Sequence, residues 1–369
     1  MKPKMPTATR VSPGAHMGCP LCSIIPAHMM RGLAENGNER QRSHALSTML
    51  ASHRLRGQRD MLGVMGAVSL MTPAGAKRRT IYNSQQQPLL PGKLVRGEGS
   101  PKTKDVTINE SYDYSGVVYD FYEKVFGRNS VDDRGMRLDS SVHYREDPTE
   151  AFDNAFWNGS QMIYGDGDGV TFDRFTKCLD VIGHELTHGI TQYEAGLAYH
   201  GQSGALNESF SDVFGSLVKQ WKKKQTAAKA DWLIGAGLLG KTIHGIALRS
   251  MKAPGTAYDD PNFGGKDPQP AHMKNYVKLA DTRAGDNGGV HINSGIPNHA
   301  FYLLAISLGG YAWERAGKIW YDALCNRIRS DSTFKSAALA TVASASSLYG
   351  STSAEQKAVK SAWQEVGVL

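Results

Sequence analysis

Hydrophobic and polar positions change rhythm twice along this chain, dividing it into three parts. The stretch HMMRGLAENGNERQRSHALSTMLASHRL, in the 27–55 region, reads as a helix, and GAVSLMTPAGAKRR follows it as a linker. From about Thr80 to Asp180 the pattern turns strand-rich, with turn punctuation at LPG, GEGSP, NG and YGDGDG. One helix interrupts that region: in Ser115–Val125, SGVVYDFYEKV, the residues Val118, Phe121, Tyr122 and Val125 recur at helical spacing. From Cys178 onward the pattern is mainly helical, broken by the Pro/Gly-rich loop APGTAYDDPNFGGKDPQP at 253–270.

Inside the helical pattern, VIGHELTHGI (Val181–Ile190) sets two histidines four residues apart around a glutamate. On a helix these two lie ~40° apart and can grip one ion, while Glu185 lies ~100° round from His184, beside the ion without binding it. That geometry suits a general base acting on water at a metal. Two histidines satisfied in a core are the competing reading of this motif alone. A catalytic zinc site also needs a third protein ligand. The extended pattern H-E-x-x-H-x-x-G-x-x-H would supply one, but Thr191 and Glu194 stand at its last two positions. GALNESFSDVFG (204–215) offers Glu208 instead, with Asp212 one turn later on the same face, able to fix a ligating imidazole. By itself NESFSD is an acidic, capped helix start; some twenty residues after H-E-x-x-H it reads as a ligand helix. DNGGVHINSG (286–295) adds His291, with Asp286 upstream to orient or charge it, as a candidate oxyanion partner. Alone, this histidine reads more often as a loop residue. YGDGDG fails as a calcium loop, because Val170 and Lys177 fall where oxygen ligands are needed, so a tight turn is expected there.

Composition changes the picture in a few places. The 369 residues can hold two ordinary domains, and 40% hydrophobic with 21% charged residues fits a globular chain. No segment approaches the ~18 consecutive apolar residues of a membrane span, so no membrane role is expected. The first thirty residues carry Pro, Gly and His where a signal peptide has an apolar core, so the usual secretory signal is not supported. A net charge of +7 suggests nucleic acid, but residues 1–60 hold nine Lys/Arg against three acids, about +6 of that total. The basic excess therefore reads as a detachable N-terminal segment, with no nucleic acid as partner. Four cysteines, Cys19, Cys22, Cys178 and Cys325, are too few and scattered for a disulfide framework. CPLC at 19–22 lacks a second pair for a zinc ribbon and a βαβ context for redox chemistry.

HELTH, GALNESFSD and DNGGVHINSG, preceded by DNAFWNGSQM (153–162), together resemble the thermolysin family of zinc metalloendopeptidases, from about Ile81 to Leu369. The resemblance implies an α+β, two-lobed fold: a strand-rich N-terminal lobe (66–183), then the zinc-binding helix and a helical lobe (184–369). It implies one zinc ion on His184, His188 and Glu208, with Glu185 as general base and then proton donor. Tyr199 and His291 would stabilise the oxyanion, Asp212 would orient His184, Asn207 would hold His188, and Asp286 would hold His291. Asn154 and Ala155 would bind substrate as an added strand, and Arg249 would hydrogen-bond the carbonyl after the cut. Phe172, Phe175, Val181, Ile234 and Leu248 would wall the pocket for the residue after the scissile bond, so cleavage is expected N-terminal to Leu, Phe, Ile or Val.

The chain departs from the family at the paired calcium site. Asp180 and Asp231 remain, but Lys219, Leu233 and Ala236 replace carboxylates. Calcium is not expected there; Lys219 is read as a buried counter-charge. Residues 1–65, with a boundary between 55 and 75, resemble the short propeptide of protealysin-like enzymes, particularly in CSIIPAHMMRGLAENG (22–37). That implies a zymogen whose propeptide inhibits and assists folding, through Ile24, Ile25 and Pro26 blocking the cleft or Cys22 thiolate on the zinc. Ala27 stands where a second proline is common. The expected partners are peptide and protein substrates and the chain's own propeptide; a monomer, secreted, is the family-level expectation. A zinc-binding but inactive module is the rival from another class, and the filled set of catalytic positions argues against it.

Overall fold

The computed structural model describes residues 22–63 and 75–369. Cys19 and the side chain of Cys22 lie outside the described residues, and with them the CPLC pair and the thiolate variant of inhibition.

The N-terminal segment begins with β1 (Cys22–Ser23) and turns through Pro26 into α1 (Ala27–Asn36) and α2 (Glu39–Gly63). A single helix is predicted here; two form, because Gly37 and Asn38 break the run. Asn38 and Gln41 cap each other reciprocally, each backbone N–H donating to the other's side-chain oxygen at 3.0 Å, which starts a new helix.

β1 is the first strand of a six-stranded sheet in the order β1-β5-β6-β4-β2-β3. Its other members are β2 (Arg79–Asn83), β3 (Lys93–Gly97), β4 (Leu138–Val142), β5 (Ala155–Trp157) and β6 (Met162–Tyr164). β1 pairs antiparallel with β5, setting Cys22 opposite Trp157 and Ser23 opposite Phe156, while β2 and β6 flank β4 in parallel. The predicted helix at 115–125 extends over α3 (Val106–Phe126). Asp105 caps it, accepting from Thr107 and Ile108 N–H at 2.9 and 3.3 Å. The apolar period is hidden in its first half because several buried positions there, Thr107, Ser111 and Ser115, are small and polar. YGDGDG makes the expected tight turn, in which Asp168 Oδ1 accepts from the backbone N–H of Val170, Thr171 and Phe172.

The remainder is helical: α4 (Leu179–Tyr193), α5 (Gly201–Lys223), α6 (Asp286–Asn293), α7 (Gly295–Leu308), α8 (Ala316–Asn326), α9 (Phe334–Tyr349) and α10 (Ala354–Glu365). A small ribbon, β7 (Leu233–Ile234) with β8 (Arg249–Ser250), precedes the 253–270 loop. The architecture is α+β, a strand sheet in the N-terminal part and helices in the C-terminal part. α4 is buried from Leu179 through Thr191, so it is a central helix whose every face meets protein. One apolar cluster runs from Ile24 and Met29 in the N-terminal segment, through Val181 and Leu186, to Trp363. Among the described residues no helix is long and apolar enough to cross a membrane.

Candidate metal centre and cleft

The centre depends on how closely α4 and α5 approach. A Cβ added at Gly215 would lie 2.5 Å from the Asp180 carbonyl and 3.0 Å from the His184 nitrogen. One added at Gly183 would lie 3.0 Å from the Gly215 Cα. Paired glycines thus let the two backbones nearly touch, and α5 carries Asn207, Glu208 and Asp212 up to the two histidines of α4.

His184 Nδ1 donates to Asp212 Oδ1 at 2.8 Å, and His188 Nδ1 donates to Asn207 Oδ1 at 2.7 Å. Each Nδ1 therefore holds the ring proton, and each Nε2 keeps a lone pair. The two Nε2 atoms face each other at 2.9 Å. Glu208 lies against both, with Oε2 at 3.4 Å from His184 Nε2 and Oε1 at 3.5 Å from His188 Nε2. Two lone pairs and a carboxylate converging in a fully buried space repel one another unless a cation stands between them. Glu208 Oε2 has no hydrogen-bond partner, as a ligand atom awaiting its ion would. His184, His188 and Glu208 can hold a metal ion, and the donor set of two imidazoles and one carboxylate fits zinc.

Around this trio the charges are arranged in pairs. Asp212 is the hub: Arg249 forks onto it through Nε and Nη2, both at 2.8 Å, and Asn298 Nδ2 donates to it at 2.9 Å. Burial would push the Asp212 carboxyl up, but Arg249 and His184 hold it well below the usual carboxylate range. Glu185 is fully buried; its Oε2 accepts from Trp157 N–H at 2.9 Å and its Oε1 has no partner. Burial pushes its carboxyl up to about 8.

His291 and Tyr199 close the other side. Asp286, Asn287, Gly288 and Gly289 all take positive φ, a left-handed run that turns the Asp286 carboxylate back onto His291. Asp286 Oδ1 accepts from His291 Nδ1 at 2.6 Å, and His291 Nε2 donates to the Ser23 carbonyl at 2.9 Å. Both ring nitrogens donate, so the ring is an imidazolium; burial opposes this charge, and Glu208 and Asp286 sustain it. Tyr199 hydroxyl donates to Glu208 Oε1 and lies 3.2 Å from His291 Nε2.

The N-terminal segment lies across these groups. Ile24 N–H donates to the Ala155 carbonyl at 3.2 Å, Ile25 N–H donates to Asn154 Oδ1 at 3.3 Å, and Arg249 Nη1 donates to the Ile24 carbonyl at 3.0 Å. Ile24 is fully buried in the same apolar cluster as Phe172, Phe175, Val181, Ile234 and Leu248. Pro26 then redirects the chain, its carbonyl accepting from Met29 and Met30 N–H. Of the residues singled out from the sequence, His184, Glu185, His188, Tyr199, Asn207, Glu208, Asp212, Asp286, His291, Asn154, Ala155 and Arg249 are linked by the contacts above, whereas Lys219, Asp180 and Asp231 form a separate ion-paired cluster and the Cys22 side chain is not described. Sequence reasoning passes over Trp157, whose N–H holds Glu185, and Asn298, which steadies Asp212. Trp157 lies inside the DNAFWNGSQM motif and was within reach; Asn298, 86 positions from Asp212, carries no local signal.

Comparison with known proteins agrees with this geometry. The family model described as thermolysin metallopeptidase, catalytic domain, matches residues 79–192, and that described as thermolysin metallopeptidase, alpha-helical domain, matches residues 195–368. An extracellular metalloprotease of Pectobacterium carotovorum subsp. carotovorum is 50% identical over 357 residues, 95% of this chain and 97% of that protein. Protease PrtS of a Photorhabdus species is 45% identical, covering 94% of this chain and 91% of that protein. The solved precursor of protealysin, a metalloproteinase from Serratia proteamaculans, superposes with a TM-score of 0.84 at 51% identity, covering 94% of this chain and 100% of that one. The fold is that of a metallopeptidase. The chain belongs to the thermolysin family.

Proposed function

We propose that this protein is a zinc-dependent endopeptidase made as a zymogen, with residues 1–65 as propeptide, 66–183 as the sheet lobe and 184–369 as the zinc helix and helical lobe. The observation that carries the reading is the pair of buried imidazole lone pairs 2.9 Å apart, backed by Glu208, with the unpartnered oxygen of Glu185 beside them. Zinc, when bound by His184, His188 and Glu208, supplies Lewis acidity for attack of water on a peptide carbonyl. Glu185 Oε1 takes the proton of the attacking water and passes it to the departing amine; the burial that raises this carboxyl suits it to both tasks near neutral pH. His291 Nε2–H and the Tyr199 hydroxyl donate to the carbonyl oxygen as charge builds on it.

Substrate would add as an antiparallel strand to β5 through Asn154 and Ala155, with Arg249 on the carbonyl after the cut. The contacts of the N-terminal segment support this: Ser23 offers its carbonyl to His291, and Ile24 offers its carbonyl to Arg249. Ile24 in the apolar cluster supports cleavage N-terminal to Leu, Phe, Ile or Val. The segment that inhibits thus does so by occupying the substrate's own hydrogen bonds, and its peptide and protein substrates compete for them once it is removed. Secretion is proposed on the strength of a relative named as extracellular. The test is the Glu185→Gln protein: casein hydrolysis should disappear while bound zinc stays at the wild-type level. Undiminished hydrolysis would remove Glu185 from the mechanism.

A further inference from the structure

Among the described residues one other trio of metal-type ligands exists, built on other elements: His44, Asp153 and Asp168, whose ligand atoms all lie within 4.8 Å of one another. His44 comes from α2 of the N-terminal segment, Asp153 from the turn into β5, and Asp168 from YGDGDG. All three are buried: His44 is 4% and Asp153 1% exposed, and the Asp168 side chain is 3% exposed.

The hydrogen-bond ledger of this cluster does not close with protein atoms. Glu150 Oε2 lies 3.3 Å from His44 Nε2, and the same carboxylate accepts from Ser43 Oγ through Oε1 at 2.6 Å, so Nε2 carries the ring proton. The lone pair of His44 Nδ1 then points inward, 3.8 Å from Asp168 Oδ2, with no hydrogen-bond partner. Asp153 Oδ1 also has none. A proton on Asp153 is the simplest remedy, and burial together with the charge of Asp168 does raise that carboxyl well above its ordinary range. Yet a proton on Asp153, even one shared with the Asp168 carboxylate, would leave the buried His44 Nδ1 lone pair without a donor. A divalent ion satisfies Nδ1 and Oδ1 together. Tetrahedral ligand bonds of about 2.0–2.2 Å set neighbouring donors roughly 3.3–3.6 Å apart, so the cluster, with His44 Nδ1 3.8 Å from Asp168 Oδ2 and all its ligand atoms within 4.8 Å, closes on an ion by movements of about an ångström. The frame around it is rigid: Asp168 Oδ1 is held by three backbone N–H groups, and Thr48 Oγ1 accepts from Asp153 N–H at 3.0 Å. An open groove of about 540 Å³, lined by Asn38, Glu39, Arg40, Ser43, His44, Thr149 and Glu150, reaches the cluster at His44.

We infer that His44, Asp153 and Asp168 form a second divalent-metal site, of the imidazole–carboxylate type that suits Zn²⁺, which clamps the N-terminal segment to the sheet lobe. Binding breaks the Asp153 O–H bond, forms a metal–oxygen bond and releases that proton to solvent. Loss of the N-terminal segment removes the one imidazole and leaves two carboxylates, so the site exists only in the full chain.

The experiment uses full-length Glu185→Gln protein, so that self-processing cannot change the sample, equilibrated with Zn²⁺ and freed of excess. About two zinc ions per chain are expected, and about one after adding His44→Ala or the isosteric Asp153→Asn. Crystals of the Glu185→Gln protein alone, measured at the zinc absorption edge, should show an anomalous peak among His44 Nδ1, Asp153 and Asp168 as well as the one at His184, and this needs no change in the cluster. A count of one or none in the parent, or no peak at His44, overturns the inference and leaves a protonated Asp153 in its stead.

Discussion

Asp212 shows how much one residue can govern. Its two oxygens accept from His184, from the Arg249 fork and from Asn298, all in a space closed to solvent. Asp212→Asn keeps the shape and removes the charge, leaving Arg249, 1% exposed, without its counter-ion. Breaking a buried pair this way typically costs about 3–5 kcal/mol, and losing a carboxylate that orients a ligating histidine weakens metal affinity about 10–100-fold. Denaturant unfolding and metal competition should register both losses; a variant as stable and as avid as the parent would show that Asp212 is only packing. His291→Ala and Tyr199→Phe act on a different quantity. Each removes one donor to the developing oxyanion, so kcat should fall about 10²–10³-fold in steady-state peptide hydrolysis with KM far less affected. Lys219 is a third case. Its Nζ lies 2.9 Å from Asp180 Oδ2 and 2.9 Å from Asp231 Oδ1 and donates to the Leu233 carbonyl at 2.6 Å. Burial pulls the ammonium down, but the two carboxylates raise it above its ordinary value. A raised folded-state value keeps this contribution fully present below the unfolded lysine's pKa and removes it only in alkali, as pH climbs through the folded one. With a fixed cation already between its carboxylates, the cluster has little to offer Ca²⁺. Added calcium should therefore leave Tm nearly unchanged, and a rise of many degrees would refute the counter-charge reading.

At the scale of elements, the α4–α5 contact sets the centre's precision. Gly215→Ala would drive a methyl group to 2.5 Å from the Asp180 carbonyl, and backbone cannot rotate away as a side chain can. Overpacking of this kind costs about 1–3 kcal/mol, and the helices must separate, carrying Glu208 off the two imidazoles. Lower Tm together with weaker zinc binding is expected in the titration; loss of stability alone would mean the centre tolerates the shift. β1 is testable in the same spirit. Ile24→Asp puts a charge into the apolar cluster that buries Ile24, so the segment should undock and the full chain should show peptidase activity without a lag. Persisting latency would locate the inhibition elsewhere in the segment. These elements differ in how readable they were. α4 announced itself through an apolar run around H-E-x-x-H, whereas the first half of α3 buries serines and threonines that look exposed in a hydropathy pattern. The break between α1 and α2 depends on a two-residue cap, which a long apolar period conceals. β1, at two residues, has no period at all.

For the whole molecule, the same contrast separates the chemistry from its wiring. The metal ligands stand on two helices close in sequence, so motif spacing exposes them, and Asp286 is five positions from the histidine it holds. Contacts such as Asn298 with Asp212, or Ser23 with His291, arise only when distant segments meet, and no local pattern encodes them. What the folded chain adds is that the described apolar side chains of the N-terminal segment share their burial with the body. Ile24, Ile25, Met29, Met30 and Leu33 are buried in the cluster that also holds Phe172, Val181 and Leu248, while Ala51 and Leu55 pack with Tyr144, Phe152 and Phe156 on the second flank. Each large side chain so buried contributes about 1.5–3 kcal/mol before ordering entropy is set against it, and all of that is shared across the boundary between segment and body. Shared burial makes unfolding cooperative. Calorimetry of the full-length Glu185→Gln protein should therefore give one transition, lying above that of the same chain begun at residue 75. Two resolved transitions in the full-length protein would mean that residues 22–63 hold themselves together, and the segment would then be a separate inhibitor domain tethered to the enzyme rather than the missing edge of its sheet.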